Sequence, residues 1–300
     1  MKPAIDRYAL GQLLSRLANA GPEEAMQLVP AQQPGRASRR IGMTGAPGAG
    51  KSTLTGHLAL LRAVDRRMGV LAVDPSSPHS GGAILGDRIR MDDLEGIDEL
   101  YIRSIGSRST TDGLSDNLPE MLDTMDAFGF EEVILETVGV GQSEVAVRSQ
   151  VDTMVLVLMP ESGDVVQAMK AGIMEMADIY VVNKADLPGA QKVATDIKRI
   201  AALAKPPPGA WRPKVALTSA EQLESIAALS ALIDEHQQWL AAHQSAQQRQ
   251  VNRARYRLRR LIERRTAQAI SRLDTAVLDL PMEEQVAHVL NEITQPVGPS

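Results

Sequence analysis

Seven short apolar runs punctuate the chain: RIGMTG (40–45), VLAVD (70–74), LYIRS (100–104), EVILE (132–136), TMVLVLM (153–159), IYVVNK (179–184) and KVALTS (214–219). Most are near-continuous rather than alternating, the pattern of strands that helices cover on both faces. Helical patterns fill the gaps between them. The spacing predicts an α/β fold, a mostly parallel sheet flanked by helices. Ahead of the sheet, Ile5, Leu10, Leu13, Leu14 and Leu17 recur at helical spacing, and a stretch with Pro and Gly at 30–35 reads as a linker. Beyond it, KPPPGAWRPK (205–214) is an irregular loop, and from about 221 the chain is helical throughout. Three regions follow: a helical extension (1–36), an α/β domain (37–220) and a helical C-terminal region (221–300).

Composition narrows the chemistry. Aromatics make up only 3% of the 300 residues, so the core is aliphatic and stacking on nucleobases is not the main trade. The absence of Cys removes disulfides, thiolate metal sites and cysteine nucleophiles, and fits a reducing compartment. His57, His79, His236, His243 and His288 are scattered without metal-ligand spacing. A net charge of -5 argues against general nucleic-acid binding. No apolar run reaches the roughly 18 residues of a membrane span. The first residues lack an apolar signal core, so cytoplasm is the expected compartment.

The strongest local signal is GAPGAGKST, Gly45 to Thr53, between the first strand and a helical pattern. It fits G-x-x-x-x-G-K-[ST], a phosphate-binding loop, in the strand–loop–helix context the motif needs. Gly45, Gly48 and Gly50 let backbone N–H groups turn inward, with Ala46, Pro47 and Ala49 between them, and the helix start adds positive potential. Lys51 can reach β and γ oxygens. Ser52 can bind Mg²⁺, and Thr53 sits by the α-phosphate. Base choice falls to Asn183, Lys184, Ala185 and Asp186 at the end of the sixth strand, where α/β sheets bind ligands. Asp186 can accept from both N1–H and the 2-amino group of guanine, whereas adenine leaves it facing a lone pair. Each lost buried hydrogen bond costs ~1–3 kcal/mol, so GTP and GDP are the expected ligands. Ser219 and Ala220 in ALTSA are placed over the guanine edge through their backbone.

ETVGVGQSE (136–144) follows the fourth strand. A carboxylate at a strand end with Gly three residues later is the arrangement of a Mg²⁺ and γ-phosphate sensor. Glu136 is assigned to a Mg²⁺-bound water and Gly139 to the γ-phosphate. Gln142 is a candidate for orienting the attacking water, with a partner-contacting switch residue as the alternative. In VDPSSPHSGGAILGDRIRM (73–91), Asp74 and Asp87 read as Mg²⁺ contacts in a loop that orders with GTP. Arg88 and Arg90 are candidate charge stabilisers, with a solvated helix start as the alternative.

Taken together and in this order, GAPGAGKST, the DPSSP…SGG…LGD string, ETVGVGQSE and NKAD resemble the MeaB/ArgK-type G proteins, the chaperones associated with methylmalonyl-CoA mutase. The likeness covers about residues 40–220. It implies a P-loop fold and a homodimeric, slow GTPase that binds an adenosylcobalamin-dependent acyl-CoA mutase. Gating of cofactor loading and protection of the mutase are implied with it. The family's nucleotide roles fall on Lys51, Ser52, Asp74, Asp87, Glu136 and Asp186. Departures lie elsewhere: Arg88 and Ile89 replace the usual Lys and Thr, 161–175 lacks part of a third-switch pattern, and 103–118 lacks a Gly–Gly pair.

Between Arg249 and Arg265 stand eight arginines and one glutamate. Leu258, Leu261, Ile262, Ala269, Ile270 and Leu273 recur at helical spacing within and beyond that run. A dimerisation or partner-docking helix, a solvated helix and a nucleic-acid surface are the three readings. For the whole chain, the alternatives to a mutase-associated GTPase are a metallochaperone GTPase, which needs His or Cys clusters, and an ATP-dependent small-molecule kinase, which should not carry NKAD.

Overall fold

A computed structural model describes residues 4–30, 37–75, 97–107, 116–137, 143–160, 173–203 and 207–294. All seven apolar runs are strands: β1 (Arg39–Gly45), β2 (Met68–Pro75), β3 (Leu100–Ser107), β4 (Glu132–Thr137), β5 (Thr153–Leu158), β6 (Ile179–Val182) and β7 (Lys214–Leu217). They form one parallel sheet in the order β3-β2-β4-β1-β5-β6-β7. The helices are α1 (Arg7–Asn19), α2 (Pro22–Leu28), α3 (Lys51–Arg62), α4 (Leu118–Ala127), α5 (Ser143–Gln150), α6 (Ala190–Leu203), α7 (Leu223–His243), α8 (Ala246–Ser271), α9 (Thr275–Leu278) and α10 (Met282–Thr294).

Alternation along each strand sends neighbours to opposite faces, and both faces are covered. On one, Ile41, Met43, Val70, Ile134, Val155 and Val181 meet Leu54 and Leu58 of α3 and Ile226, Leu229 and Ile233 of α7. On the other, Leu71, Val73, Val133, Leu135 and Met154 meet α4, α5 and the N-terminal helix α1. Asp6 caps α1 by accepting from the Ala9 N–H at 2.9 Å. Leu10, Leu14 and Leu17 then fall on one face and are fully buried, worth about 1.5–3 kcal/mol each. The N-terminal helix is thus part of the main core. Toward β7, Leu156, Leu158 and Val182 close against Ala194 and Ile197 of α6.

The edge of the sheet where the strands begin is held by buried ion pairs. Arg62 of α3 grips Glu132 of β4 through Nε (2.6 Å) and Nη2 (2.9 Å), and reaches Asp234 of α7 at 2.7 Å. Near β5 and β6, burial pushes the Asp178 carboxyl up to about 6, although the Arg148 guanidinium draws it down. Burial also drives His236 down to about 4, with Arg148 adding to the effect. His236 is held by the Thr153 hydroxyl at 2.9 Å and packed edge-on to Trp211.

The arginine-rich helix α8 uses its charge in a way none of the three sequence readings contained. Arg249, Arg253 and Arg257 lie four residues apart, on one helical face. Arg249 and Arg253 contact Asp152 at 3.2 and 2.7 Å, and Arg257 contacts Asp123 of α4. Arg264 binds Asn117 at the start of α4. Asp123 and Asp126 in turn hold buried Arg40 of β1. Meanwhile Leu258, Ile262 and Ile270 are about half exposed, at 57%, 49% and 52%. The helix turns part of its charge inward, while Leu258, Ile262 and Ile270 stand outward beside Arg255, Arg259 and Glu263. No helix among the described residues is long and apolar enough to cross a membrane.

Removing one partner of a buried ion pair strands the other charge and costs about 3–5 kcal/mol. Asp152→Ala is therefore expected to lower the unfolding free energy in urea by about 3 kcal/mol and to speed amide exchange in α8. An unchanged urea midpoint would show that α8 docks without these pairs.

Candidate functional site

The edge where the strands end gathers the site residues expected from the sequence. β1 runs into Gly45 and α3 begins at Lys51. The loop between them depends on backbone shapes that side chains resist: Gly45, Gly48 and Gly50 have φ of 141°, 79° and 78°. Space makes two of these glycines obligatory. A Cβ on Gly45 would stand 2.0 Å from the Val157 carbonyl oxygen, and one on Gly50 would stand 2.6 Å from Asn183 Nδ2. Gly50 is also the N-cap of α3 and supplies no side-chain cap. The first-turn N–H groups therefore keep their capacity for an anion, reinforced by the helix dipole. Lys51 is buried beneath the loop and its Nζ donates to the Ala46 carbonyl at 2.9 Å. Pro47 and Gly48 form the exposed lip, Ala46 and Ala49 are buried, and Thr53 is half-buried on the first turn.

Ser52 and Glu136 meet across the sheet edge, the hydroxyl donating to Oε1 at 2.6 Å. Register explains the meeting: Glu136 of β4 lies between Met43 of β1 and Ala72 of β2. The pair supplies oxygen donors only, one neutral and one anionic, which suits Mg²⁺, a hard cation that takes few protein oxygens and keeps waters. Asp74 continues β2 toward the same edge, its backbone paired with Gly106. Its side chain, and the whole of Asp87, Gly139 and Gln142, lie outside the described residues, as do Arg88 and Arg90.

On the base side, the segment Asn183 to Asp186 follows β6 directly. Lys184 takes φ 54°, a left-handed conformation uncommon for a side-chain-bearing residue. The Ala185 N–H donates to the Thr218 carbonyl at 2.9 Å, locking this turn to the end of β7. Asn183 is buried and uses both ends of its carboxamide on protein. Its Nδ2 donates to the Ala49 carbonyl at 2.8 Å, and its Oδ1 accepts from the Thr218 hydroxyl at 2.9 Å. Asp186 is exposed, with Oδ1 accepting from the Ser219 hydroxyl at 2.9 Å. That leaves a carboxylate aligned by one bond and able to accept more.

The structure thus unites the phosphate loop, Ser52, Glu136, Asn183, Lys184, Asp186 and Ser219, with Ala220 exposed beside them. Two features escaped sequence reasoning. Thr218 is a joint between the base loop and Asn183, though it stood within the same ALTSA string that pointed to its neighbours. Ser219 works through its hydroxyl as well as its backbone position. Asn183 was expected among the nucleotide contacts; its carboxamide here joins the two halves of the site.

Comparison with known proteins gives a consistent result. The sequence model of a family described as methylmalonyl Co-A mutase-associated GTPase MeaB matches residues 10–274. A putative GTPase of Pyrococcus abyssi is 40% identical over 239 residues, 78% of this chain and 74% of that protein. The mitochondrial methylmalonic aciduria type A homolog of Mus musculus is 39% identical over 216 residues, 70% of this chain and 52% of that protein. Among solved structures, a LAO/AO transport system kinase shares the fold with a TM-score of 0.61 at 24% identity, covering 98% of this chain and all of that one.

Gly50→Ala sets a Cβ against Asn183 and demands a left-handed alanine. Calorimetric titration with GDP is expected to show at least about a tenfold loss of affinity, the equivalent of ~1.4 kcal/mol, while the thermal unfolding midpoint stays near that of the parent. Unaltered GDP affinity would contradict the packing of Gly50 on Asn183.

Proposed function

The chain belongs to the MeaB family of methylmalonyl Co-A mutase-associated GTPases and is a GTPase, and from that premise we propose that it is a chaperone whose bound guanine nucleotide gates an adenosylcobalamin-dependent acyl-CoA mutase. In this reading it governs cofactor loading and protects or reactivates the mutase, and it works as a homodimer. The observation that carries the nucleotide chemistry is the meeting, at one sheet edge, of the glycine loop, the Ser52–Glu136 pair and the Asp186 carboxylate, with Asn183 between them. Support for the mutase comes from the family's description and the name of the Mus musculus relative.

Each residue has a defined part. Loop N–H groups and Lys51 hold the β and γ phosphates, and the Lys51 charge offsets the negative charge that grows on the bridging oxygen as the terminal phosphate departs. Ser52 and Glu136, with Asp74 and Asp87, would hold Mg²⁺ directly or through its waters, and the ion would supply further charge neutralisation. Gly139 offers its N–H to the γ-phosphate, and Gln142 positions the attacking water or contacts the partner. Asp186 selects guanine, flanked by Lys184, Ser219 and Ala220. The exposed apolar residues of α8 (Leu258, Ile262, Ile270) and α10 (Met282, Val286, Leu290) form the face that would be covered in the homodimer.

GTP hydrolysis in the presence of magnesium tests the site. Lys51→Ala is expected to reduce turnover by at least about 100-fold, and Asp186→Asn to shift preference from guanine toward xanthine nucleotides. Co-purification of an acyl-CoA mutase with the GTP-bound protein tests the partner. Undiminished turnover in Lys51→Ala would remove the loop from the mechanism, and equal recovery of the mutase with a GDP-bound or unrelated protein would remove the chaperone assignment.

A further inference from the structure

Apart from the residues assigned to the nucleotide, α1 and the outermost strand β3 enclose an open groove of about 630 Å³. Arg7, Arg16 and Arg103 line it together with Tyr8, Gln12 and Ser15, and no Asp or Glu is among the described lining residues. In a chain of net charge -5, a concavity that gathers three guanidinium groups is a local exception.

Two of those charges are fixed by neutral acceptors. Arg7 donates through Nη2 to the carbonyls of Ile97 (2.5 Å) and Leu100 (2.8 Å). Arg103 donates to the Gly11 carbonyl (2.9 Å) and the Ser15 hydroxyl (2.8 Å). All four acceptors are neutral, and neither arginine forms an ion pair among the described residues. Such bonds orient the guanidinium forks without cancelling their charge, so less entropy is lost when a carboxylate arrives. Arg16 differs, since it pairs with Glu24 at 3.2 Å on the exposed rim.

The helix also shows an aromatic ring on this side. Leu10, Leu14 and Leu17 turn α1 toward the core, which leaves Tyr8 76% exposed, its hydroxyl accepting from Gln12 Nε2 at 2.6 Å. Exposed Tyr beside pre-oriented Arg is the residue pairing that dominates protein interfaces. Stapling of α1 to β3 accounts for where the arginines sit; it does not account for an exposed ring.

We propose that the α1–β3 groove docks an acidic segment of a partner protein, its carboxylates pairing with the forks of Arg7 and Arg103 and its backbone lying across Tyr8. The inference stands independently of the GTPase chemistry, because no residue of the groove belongs to the nucleotide site.

Fluorescence anisotropy of labelled hexaglutamate titrated into the full-length protein at low salt tests it, with labelled hexaglutamine as the neutral control. Hexaglutamate is expected to bind at least about tenfold more tightly than the control, and Arg103→Gln and Tyr8→Ala each to weaken it at least about fivefold. Tyr8→Ala removes an exposed ring and leaves the staple intact, so it reports on binding even if the Arg103 variant unfolds. Arg259→Gln on α8, outside the groove lining, is expected to change nothing. The proposal is overturned if hexaglutamate affinity survives both groove substitutions or falls equally with Arg259→Gln. It is also overturned if low-millimolar inorganic phosphate displaces the peptide fully, which would mark a small-anion site, or if phosphatidylserine vesicles bind in a Tyr8-dependent manner while hexaglutamate does not.

Discussion

One side-chain amide joins the two chemistries of this site. Asn183 reaches from the end of β6 to the Ala49 carbonyl inside the phosphate loop, while Thr218 at the end of β7 donates to its oxygen. Gly50 passes so close that any side chain there would collide with the amide nitrogen. The loop proposed to take phosphate and the turn proposed to take the base are thereby set relative to each other by protein alone. A nucleotide can then meet both at once, and little of its binding free energy goes into shaping the site. Each of the two bonds leaves a buried group unpaired if broken, at about 1–3 kcal/mol.

The two edges of the sheet do different work. Where strands begin, the buried Arg62–Glu132 pair, the strongly shifted Asp178 carboxyl and the neutral His236 imidazole hold helices to the sheet. Where strands end, the described groups are hydrogen-bond donors and acceptors aimed by glycine turns and register. This division suits phosphoryl transfer, which asks a protein mainly for positioning and charge stabilisation. Perturbed carboxyls and imidazoles mark acid–base sites in many enzymes; in this chain they mark the structural base instead.

Much of this was legible in the chain. Near-continuous apolar runs predicted strands because both sheet faces are covered, and GAPGAGKST fixed the strand–loop–helix unit because only glycines tolerate its backbone. Strand order was not legible, since it depends on where each crossover lands rather than on any run's composition. The fate of the α8 arginines was equally hidden: Arg257 finds Asp123, 134 residues away, and Arg253 finds Asp152, 101 residues away. A local charge count cannot reveal such partners. Asn183 was singled out for its motif, yet its contact with Ala49 spans 134 residues and appears only once β1 and β6 flank β5.

Whether the Asn183 amide holds the phosphate loop in shape is best read from amide hydrogen exchange of nucleotide-stripped protein over residues 46–54. Asn183→Ala is predicted to speed exchange in that segment at least about tenfold, corresponding to ~1.4 kcal/mol of lost local stability, while β4 keeps its protection. Equal exchange in parent and variant would show that the loop keeps its shape without the strut, and the account of a pre-set site would be wrong.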